Sequence, residues 1–352
     1  MKKTLSIIFL MVIQFNLLSI STSNSDILNT ADRDEISISF TGDILTHRYL
    51  YDKARKGDLY DFDYAFSDIS KYLNSDINFC QLETVLTSGR PSSYPVFKTP
   101  YQLIYSIKKA GFSICSQASN HSLDDGSRGI YFTSKKFREA DISLVGYRED
   151  LLYKNIIEKH NIKVGFLAYT YGTNGIKPPR NESDIVRYIS KEKILNDISE
   201  IKEKADLVIV YLHFGNEYQE LPSTFQKEIV SAISSTNKVG LIVGSHVHRL
   251  QKSDIINKTP VIYGLGNFWS GQGSWSNMRR GQIGTIAKAY FYKENGVVKF
   301  SKIRFFPTFV SGKDFSVKYA PNYVHGDEKD ISCFAINENK RLHKKFEVEG
   351  SC

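Results

Sequence analysis

The chain alternates hydrophobic and polar residues in several short stretches, a pattern that predicts β-strands. "EISISF" sets Ile36, Ile38 and Phe40 on one face, whereas "DLVIVYLHFGNE" is almost continuously apolar, as in a strand that a sheet buries on both faces. Other stretches repeat apolar residues at helical spacing, among them "YQLIYSIKKAG", which ends at Gly111, and "KEKILNDISEIKEKA", which Ser190 can cap. Strands and helices therefore alternate, which predicts an α/β fold.

Tight turns predict that the sheets of this fold are not wholly parallel. Strand-like runs flank residues 160–161 and 295–296, where His-Asn and Asn-Gly pairs suit hairpin turns. Apolar residues at helical spacing predict a helix over residues 62–73, and the glycines and prolines of residues 171–187 indicate a long irregular loop. The expected architecture is a mixed sheet arrangement flanked by helices.

The two ends of the chain differ from its centre. Residues 1–24 carry two lysines, then an apolar run, then small polar residues, which is the order of a secretory signal peptide. We expect export to the periplasm or the cell surface, with membrane anchoring by an uncleaved signal as the alternative. Residues 32–310 are predicted to form the folded domain, and residues 311–352 a polar C-terminal tail outside the core.

The charge of the chain indicates which chemical class of partner it binds. The formal net charge is +8, but the lysines are scattered, so an anionic polymer or a phosphorylated substrate is favoured and nucleic acid is not.

Cys80 and Cys115 lie inside strand-like runs and are predicted to be buried free thiols. Cys333 and Cys352 lie near the C-terminus, and the sequence leaves open whether they form a disulfide.

Residues able to bind metal or transfer protons follow the predicted strands one after another. Taken alone, each is well explained as a helix cap, a turn residue or a hydrogen-bonded histidine, and an isolated histidine after a strand is more often structural than a ligand. Their recurrence favours one shared site, because ligands of open α/β sheets bind beyond the carboxyl ends of the strands. The set comprises Asp43, His47, Glu83, Asn120, His121, His213, Glu217, His246, His248 and Asn267.

The stretch "GSHVHR" gives the most specific chemical prediction. If its backbone is extended, His246 and His248 point to the same side, and Gly244 allows a close turn of the chain. Nitrogen and oxygen donors without a thiolate suit a divalent ion such as Mn, Fe, Zn or Ni.

Six blocks of sequence, in this order, resemble one known family. They are "FTGDILTHR", "QLETVLT", "SNHSLDDGSRGI", "YLHFGNEY", "GSHVHRLQ" and "VIYGLGNFWSGQ", spanning residues 40–272. The resemblance is to the bacterial capsule synthesis protein family of poly-gamma-glutamate biosynthesis, whose fold is related to the calcineurin-like metallophosphatases. It implies a layered metallophosphatase-like α/β fold, with mixed sheets flanked by helices.

The resemblance also implies residue roles. The implied metal ligands, for one or two ions of Mn, Fe or Zn, are Asp43, Glu83, Asn120, His213, His246 and His248. His121 matches the histidine that assists the leaving group in related phosphoesterases. The chain departs from the family at Gln81 and Ser245, and it has "TGD" in place of an Asp-x-His pair, which leaves the number of ions open.

Two functions of different classes are consistent with these features. The first is an exported metal-dependent hydrolase or transferase acting on a phosphoester or on an amide-linked acidic polymer, with Arg279 and Arg280 holding the anionic group. The second is a non-catalytic, polymer-binding component of a membrane-bound capsule assembly complex. Arg279 and Arg280 are explained equally well as solvated arginines. His121 favours the first function, because a purely structural metal does not require a proton donor.

Overall fold

Two mixed sheets with helices on their outer faces make up the computed structural model, which describes residues 34–148, 155–274 and 279–352. The predicted signal peptide, residues 1–24, lies outside the described residues. In chain order, the strands are β1 (Asp34–Leu45), β2 (Arg55–Lys56), β3 (Leu59–Tyr60), β4 (Ile77–Leu82), β5 (Val85–Thr87), β6 (Lys98–Pro100), β7 (Ile114–Ser116), β8 (Ser143–Val145), β9 (Ile156–Lys159), β10 (Ile162–Thr170), β11 (Leu207–His213), β12 (Leu241–Ser245), β13 (Leu250–Ile256), β14 (Thr259–Leu265), β15 (Asn267–Ser270), β16 (Ile283–Glu294), β17 (Val297–Val310), β18 (Val317–Tyr319) and β19 (Glu347–Val348). The α-helices are α1 (Arg48–Ala54), α2 (Asp63–Phe66), α3 (Leu103–Ala110), α4 (Gly126–Glu139), α5 (Lys191–Lys202), α6 (Thr224–Ser234) and α7 (Lys329–Leu342).

Each of the two large sheets combines parallel and antiparallel pairs, as the predicted hairpins require, while two small sheets pair β2 with β3 and β5 with β6. The first sheet has the order β18-β17-β16-β1-β4-β7-β8, with β15 beside β1 and β19 beside β17. The second sheet has the order β13-β14-β12-β11-β10-β9. Strands β1, β4 and β7 run parallel in the first sheet, and β10, β11, β12 and β14 run parallel in the second. The predicted α/β class with mixed sheets flanked by helices is confirmed.

Apolar side chains hold the layers together. Phe40 and Phe79 of the first sheet pack with Phe166 and Tyr211 of the second in one buried cluster, and the rings of Phe79 and Tyr211 stack with 4.8 Å between their centroids. Separate clusters join helix α3 to the outer face of the first sheet, and helices α5 and α6 to the outer face of the second. The two sheets are therefore sandwiched between helical layers.

Local sequence signals account for several element boundaries. Ser190 caps α5 by accepting the Lys193 N–H, as predicted, and Ser223 forms a capping box with Gln226 at the start of α6. The predicted hairpin turn at residues 160–161 has positive φ at both positions, of 48° and 56°. The helix predicted over residues 62–73 is wrong in length, because the chain there forms the short α2 followed by a turn of 3₁₀-helix.

The cysteines correct a second expectation. Cys80 of β4 and Cys115 of β7 are not free thiols but form a disulfide between neighbouring parallel strands. The register of these strands sets the two residues opposite each other, with their Cα atoms 4.4 Å apart. Cys333 and Cys352 form a second disulfide, which the sequence had left open.

Residues 311–352 do not lie outside the core. Helix α7 places Ala335, Ile336 and Leu342 in a buried cluster with Ile283 and Phe309 of β16 and β17. The segment looks polar because one face of this amphipathic helix is exposed, while the other completes the core. Among the described residues, no helix is long and apolar enough to cross a membrane.

Candidate metal centre

The six predicted ligands come from strand ends of both sheets and meet in one place. Asp43 lies near the end of β1, Glu83 follows β4 by one residue, and Asn120 follows β7. His213 closes β11, and the two histidines of "GSHVHR" follow β12. All six residues are buried, with at most 2% of their surface exposed. The parallel strands direct their carboxyl ends to one edge, which is why residues far apart in sequence converge.

The segment after β12 reaches the site in a conformation that the sequence did not predict. His246 and His248 have φ values of 93° and 54°, so their backbone is left-handed and not extended. Their rings nevertheless converge, with 6.1 Å between centroids, because the chain curls around the site. A Cβ atom at Gly244 would lie 2.2 Å from the carbonyl oxygen of Tyr263, so only glycine fits the strand at this point.

Glu83 lies at the centre of the cluster. Its Oε1 is 3.4 Å from Nε2 of His213 and 3.6 Å from Nε2 of His248. Asp43 is 3.4 Å from Nδ1 of His248 and 3.7 Å from Nδ1 of His213. Two groups of donor atoms lie within 4.8 Å of one another, Glu83 with His213 and His246, and Glu83 with Asp43 and His248. Glu83 belongs to both groups, so its carboxylate would contribute to holding an ion in either of them.

Several polar atoms in this cluster lack a hydrogen-bond partner among the described residues. They are both carboxylate oxygens of Glu83, Oδ1 of Asp43 and Nδ1 of His246. Burial and the nearby charge of Asp43 raise the pKa of Glu83 well above its usual value. Burial and the neighbouring His246 hold the pKa of His213 well below its usual value, so this imidazole is neutral at physiological pH. A buried carboxylate without a hydrogen-bond partner lowers the stability of the fold. A divalent cation would remove this cost, because it accepts electron pairs from carboxylate oxygens and from neutral imidazole nitrogens.

Surrounding amides and hydroxyls orient the histidines. Asn120 Oδ1 lies 2.8 Å from Nε2 of His213, and Ser245 Oγ lies 2.9 Å from its Nδ1. Asn267 Oδ1 lies 2.9 Å from Nδ1 of His248. Asn267 was predicted to lie at the strand ends without a particular role, and Ser245 was not predicted to contact the site. Their positions beside ligand-type histidines follow from the strand register, which the sequence does not display.

His121 stands beside the donor groups and has its own partner. Its Nδ1 is 2.7 Å from Oδ2 of Asp124, which also accepts the backbone N–H of Phe97. His121 lines a cavity of about 300 Å³ together with His47, Glu217 and His248. Of the six predicted ligands, His248 lines this cavity, so a molecule bound in it would contact both His121 and the edge of the cluster. Nothing in the sequence indicated a role for Asp124, although it lies three residues after His121 in the same block.

The predicted substrate arginines lie elsewhere. Arg280 is half-exposed and pairs with Glu220 at 2.7 Å and with Glu338 at 3.7 Å. Neither Arg279 nor Arg280 is among the described residues that line the cavity beside His121. The structure does not bring them to the cluster, and their contact with substrate stays a prediction.

A layered α/β fold with buried carboxylates and histidines at its strand ends defines a protein with a candidate metal centre of nitrogen and oxygen donors. Residues 37–272, about two thirds of the chain, match the family described as bacterial capsule synthesis protein PGA_cap. The chain belongs to this family, and the resemblance seen in its sequence blocks is confirmed.

Two curated relatives are similar over most of the chain. The capsule biosynthesis protein CapA of Bacillus anthracis is 29% identical over 279 residues, which cover 75% of this chain and 66% of the relative. The PGA biosynthesis protein CapA of Bacillus subtilis is 28% identical over 282 residues, which cover 78% of this chain and 72% of the relative. The chain thus spans about two thirds of the length of the first of these relatives.

Two solved structures resemble the chain more distantly. The calcineurin-like phosphoesterase YfkN from Bacillus subtilis has a TM-score of 0.48 and 16% identity, covering 88% of this chain and 98% of its own. The 5'-nucleotidase precursor from Thermus thermophilus has a TM-score of 0.46 and 12% identity, covering 87% and 58%. Similarity at this level implies nothing about activity.

Proposed function

We propose that this capsule synthesis family protein is an exported metal-dependent hydrolase that acts on a phosphoester or on an amide-linked acidic polymer. The observation that carries the proposal is Glu83, a fully buried carboxylate with no hydrogen-bond partner among the described residues, shared by two groups of donor atoms. A cluster that only stabilised the fold would gain from pairing this carboxylate with a hydrogen-bond donor. Its unpaired state supports a site built for one or two divalent ions, such as Mn, Fe or Zn.

The residues divide into holding and proton-transferring groups. Asp43, Glu83 and His248 would hold one ion, and Glu83 with His213 and His246 the other. A bound divalent ion supplies Lewis acidity and lowers the pKa of a coordinated water. The chain itself supplies the proton donor, because Asp124 faces Nδ1 of His121 and orients the ring towards the cavity.

The walls of the cavity position a substrate beside these groups. Tyr94, Phe97 and Tyr218 line the cavity of about 300 Å³ that holds His121 and His248. The rings of His121 and Phe97 pack edge to face, with 4.7 Å between ring centroids, which limits rotation of the imidazole. These aromatic side chains would position a substrate beside the proton donor and keep the His121 ring in one orientation.

The disulfides support the exported location. All four cysteines of the sequence are paired, Cys80 with Cys115 and Cys333 with Cys352. Disulfides persist in oxidising compartments and are rare in the cytosol. Together with the signal-like residues 1–24, they favour the periplasm or the cell surface as the place of action, close to a membrane-bound capsule synthesis complex.

Metal content and turnover, measured on the same preparations, test the proposal. The full-length protein and its Glu83→Gln variant are loaded with Mn, Fe or Zn, freed of excess metal and analysed for bound ion. Hydrolysis of a generic phosphoester and of poly-gamma-glutamate is then followed. We expect metal and turnover in the parent protein and neither in Glu83→Gln.

The outcomes separate the two functions. A parent protein that binds no ion contradicts the proposed site. One that binds metal but hydrolyses neither substrate supports the polymer-binding assembly component instead. Asn339→Gln serves as a control for altering a buried polar residue, since Asn339 lies in α7 and bonds to Gly284 and Ala335, away from the cluster.

A further inference from the structure

A second cavity adjoins the one beside His121. It has a volume of about 680 Å³ and is lined by α1, the β2–β3 hairpin and the loop that follows β5. Tyr94 lines both cavities, and 79% of its surface is exposed. The two spaces therefore meet at one aromatic side chain, and a ligand longer than the inner cavity would continue into the outer one.

Arginines distinguish the outer cavity. Arg48, Arg55 and Arg90 line it, together with the carboxylates of Asp52 and Asp58. Arg48 pairs with Asp52 at 3.3 Å, and Arg55 donates from Nε to the carbonyl oxygen of Gly57. Within residues 34–148, 155–274 and 279–352, no carboxylate lies within 4.0 Å of the guanidinium nitrogens of Arg55 or Arg90. These two groups keep free donors for an anion.

Arg280, which was predicted to bind substrate, differs from Arg55 and Arg90 in its ion pairs. Arg280 shares Glu220 with Arg341, and both also contact Glu338, so the charges of that cluster are neutralised within the protein. Arg55 and Arg90 are not compensated in this way. A planar guanidinium binds a carboxylate through two parallel hydrogen bonds, which a lysine cannot do.

We infer that the outer cavity binds the carboxylates of an extended polycarboxylate chain, through Arg55 and Arg90, while the reacting part of the chain lies beside His121. This inference rests on the proposed function and adds to it the binding residues and the substrate class. An open, polar cavity suits a flexible chain whose charges stay partly hydrated, and volumes of this order are ordinary for ligand sites.

Binding of fluorescently labelled poly-gamma-glutamate to the full-length protein tests the inference. The variant Arg55→Gln/Arg90→Gln removes two positive charges from the cavity. The control Lys227→Gln/Lys340→Gln removes two from exposed helix positions outside it. We expect about tenfold weaker binding for the arginine variant, and binding within about twofold of the parent for the control, at moderate ionic strength. Bound metal should be unchanged in both variants.

Each other outcome overturns the inference. Equal weakening in both variants means that overall charge, not the cavity, binds the polymer. Unchanged binding in the arginine variant excludes Arg55 and Arg90. Equal competition by single-stranded DNA of matched charge excludes carboxylate recognition. Circular dichroism checks that the variants are folded. The single variant Arg90→Gln changes only an exposed loop position and tests the same cavity if the double variant misfolds.

The inference and the proposed function fail in distinguishable ways. If the parent binds no polymer but hydrolyses a small phosphoester, the inference that the outer cavity binds polymer is wrong, and the proposed hydrolase function is supported. If polymer binding depends on Arg55 and Arg90 but no substrate is hydrolysed, polymer binding in the outer cavity is supported, and the proposed hydrolase function is wrong.

Discussion

The amide oxygen of Asn267 lies 2.9 Å from Nδ1 of His248 and fixes which nitrogen of that ring carries the proton. The Asn267 amide nitrogen donates to the carbonyl oxygen of Gly281 at 2.8 Å and to Oε1 of Gln272 at 3.0 Å, so its oxygen must face the histidine. Nδ1 of His248 is then the donor, and its Nε2 keeps a lone pair on the side of Glu83. That nitrogen is available to a metal ion.

Replacing Asn267 by Ala should weaken metal binding by about 10- to 100-fold, because His248 loses the group that holds its tautomer and ring orientation. Competition with a chelator measures the change. Asn339→Ala is the matched control, since it also removes a buried amide from a strand contact. Similar metal affinity in the parent protein and in Asn267→Ala would contradict the orienting role.

Replacing both His246 and His248 by Gly should remove bound metal, because the site loses two nitrogen donors. Glycine accepts the positive φ at both positions, so the backbone keeps its shape. His121→Ala should keep its metal and lose turnover by about 10² to 10⁴, the usual contribution of general acid catalysis. Metal analysis and kinetics on the same samples separate the two effects. Full metal content in the double variant would refute the ligand assignment.

Acid should destabilise the protein through His343. This ring is fully buried, stacks on Phe305 with 3.8 Å between centroids, and has its pKa lowered to about 3 by burial. The unfolded chain takes up a proton near pH 6.5 and the folded protein does not. The contribution of His343 to stability is therefore complete above pH 6.5 and is lost as the pH falls towards 3, by at most about 1.4 kcal/mol per pH unit.

Urea unfolding at pH 7.5 and pH 5 measures this contribution. His343→Phe keeps the stack on Phe305 but does not titrate. The variant should be less stable at pH 7.5, since Ser253 loses its hydrogen bond to the ring, and it should lose less stability on acidification than the parent. An equal loss in both proteins would exclude His343 as a source of acid sensitivity.

Removing the disulfide of the first sheet, in the variant Cys80→Ala/Cys115→Ala, should lower the free energy of unfolding by about 2–4 kcal/mol. The cross-link joins residues 35 apart in sequence and restricts the unfolded chain. Urea unfolding with and without dithiothreitol measures the effect. The parent protein should lose stability on reduction, whereas a variant lacking all four cysteines should not respond. Free thiols titrated in the denatured, untreated parent protein would contradict the pairing.

The sequence was sufficient to predict which residues gather at the candidate site, because most of them follow recognisable strands. Asp43, Glu83 and His213 follow runs that are recognisable as buried strands, and the fold rule for parallel sheets then places them together. The shape of the segment after β12 was not predictable, because left-handed backbone at His246 and His248 is imposed by tertiary contacts and not by residue type.

The remaining errors concern pairs of residues that are distant in sequence. Cys80 and Cys115 were expected to be separate thiols, since nothing in either strand shows that their register brings them face to face. The amphipathic character of α7 was hidden by lysines and asparagines on its exposed face. In both cases the deciding information is which strands and helices are neighbours, and a local pattern does not contain it.

The donors of the candidate metal centre are divided between the two sheets, with Asp43 and Glu83 from the first and His213, His246 and His248 from the second. Each group of donor atoms combines residues from both sheets, so neither sheet alone would hold an ion. An ion would therefore be captured only after the two sheets have docked. A chain that crosses a membrane before it folds would take its metal from the compartment where it arrives, so the ions available there, and not those of the cytoplasm, would determine which metal it carries.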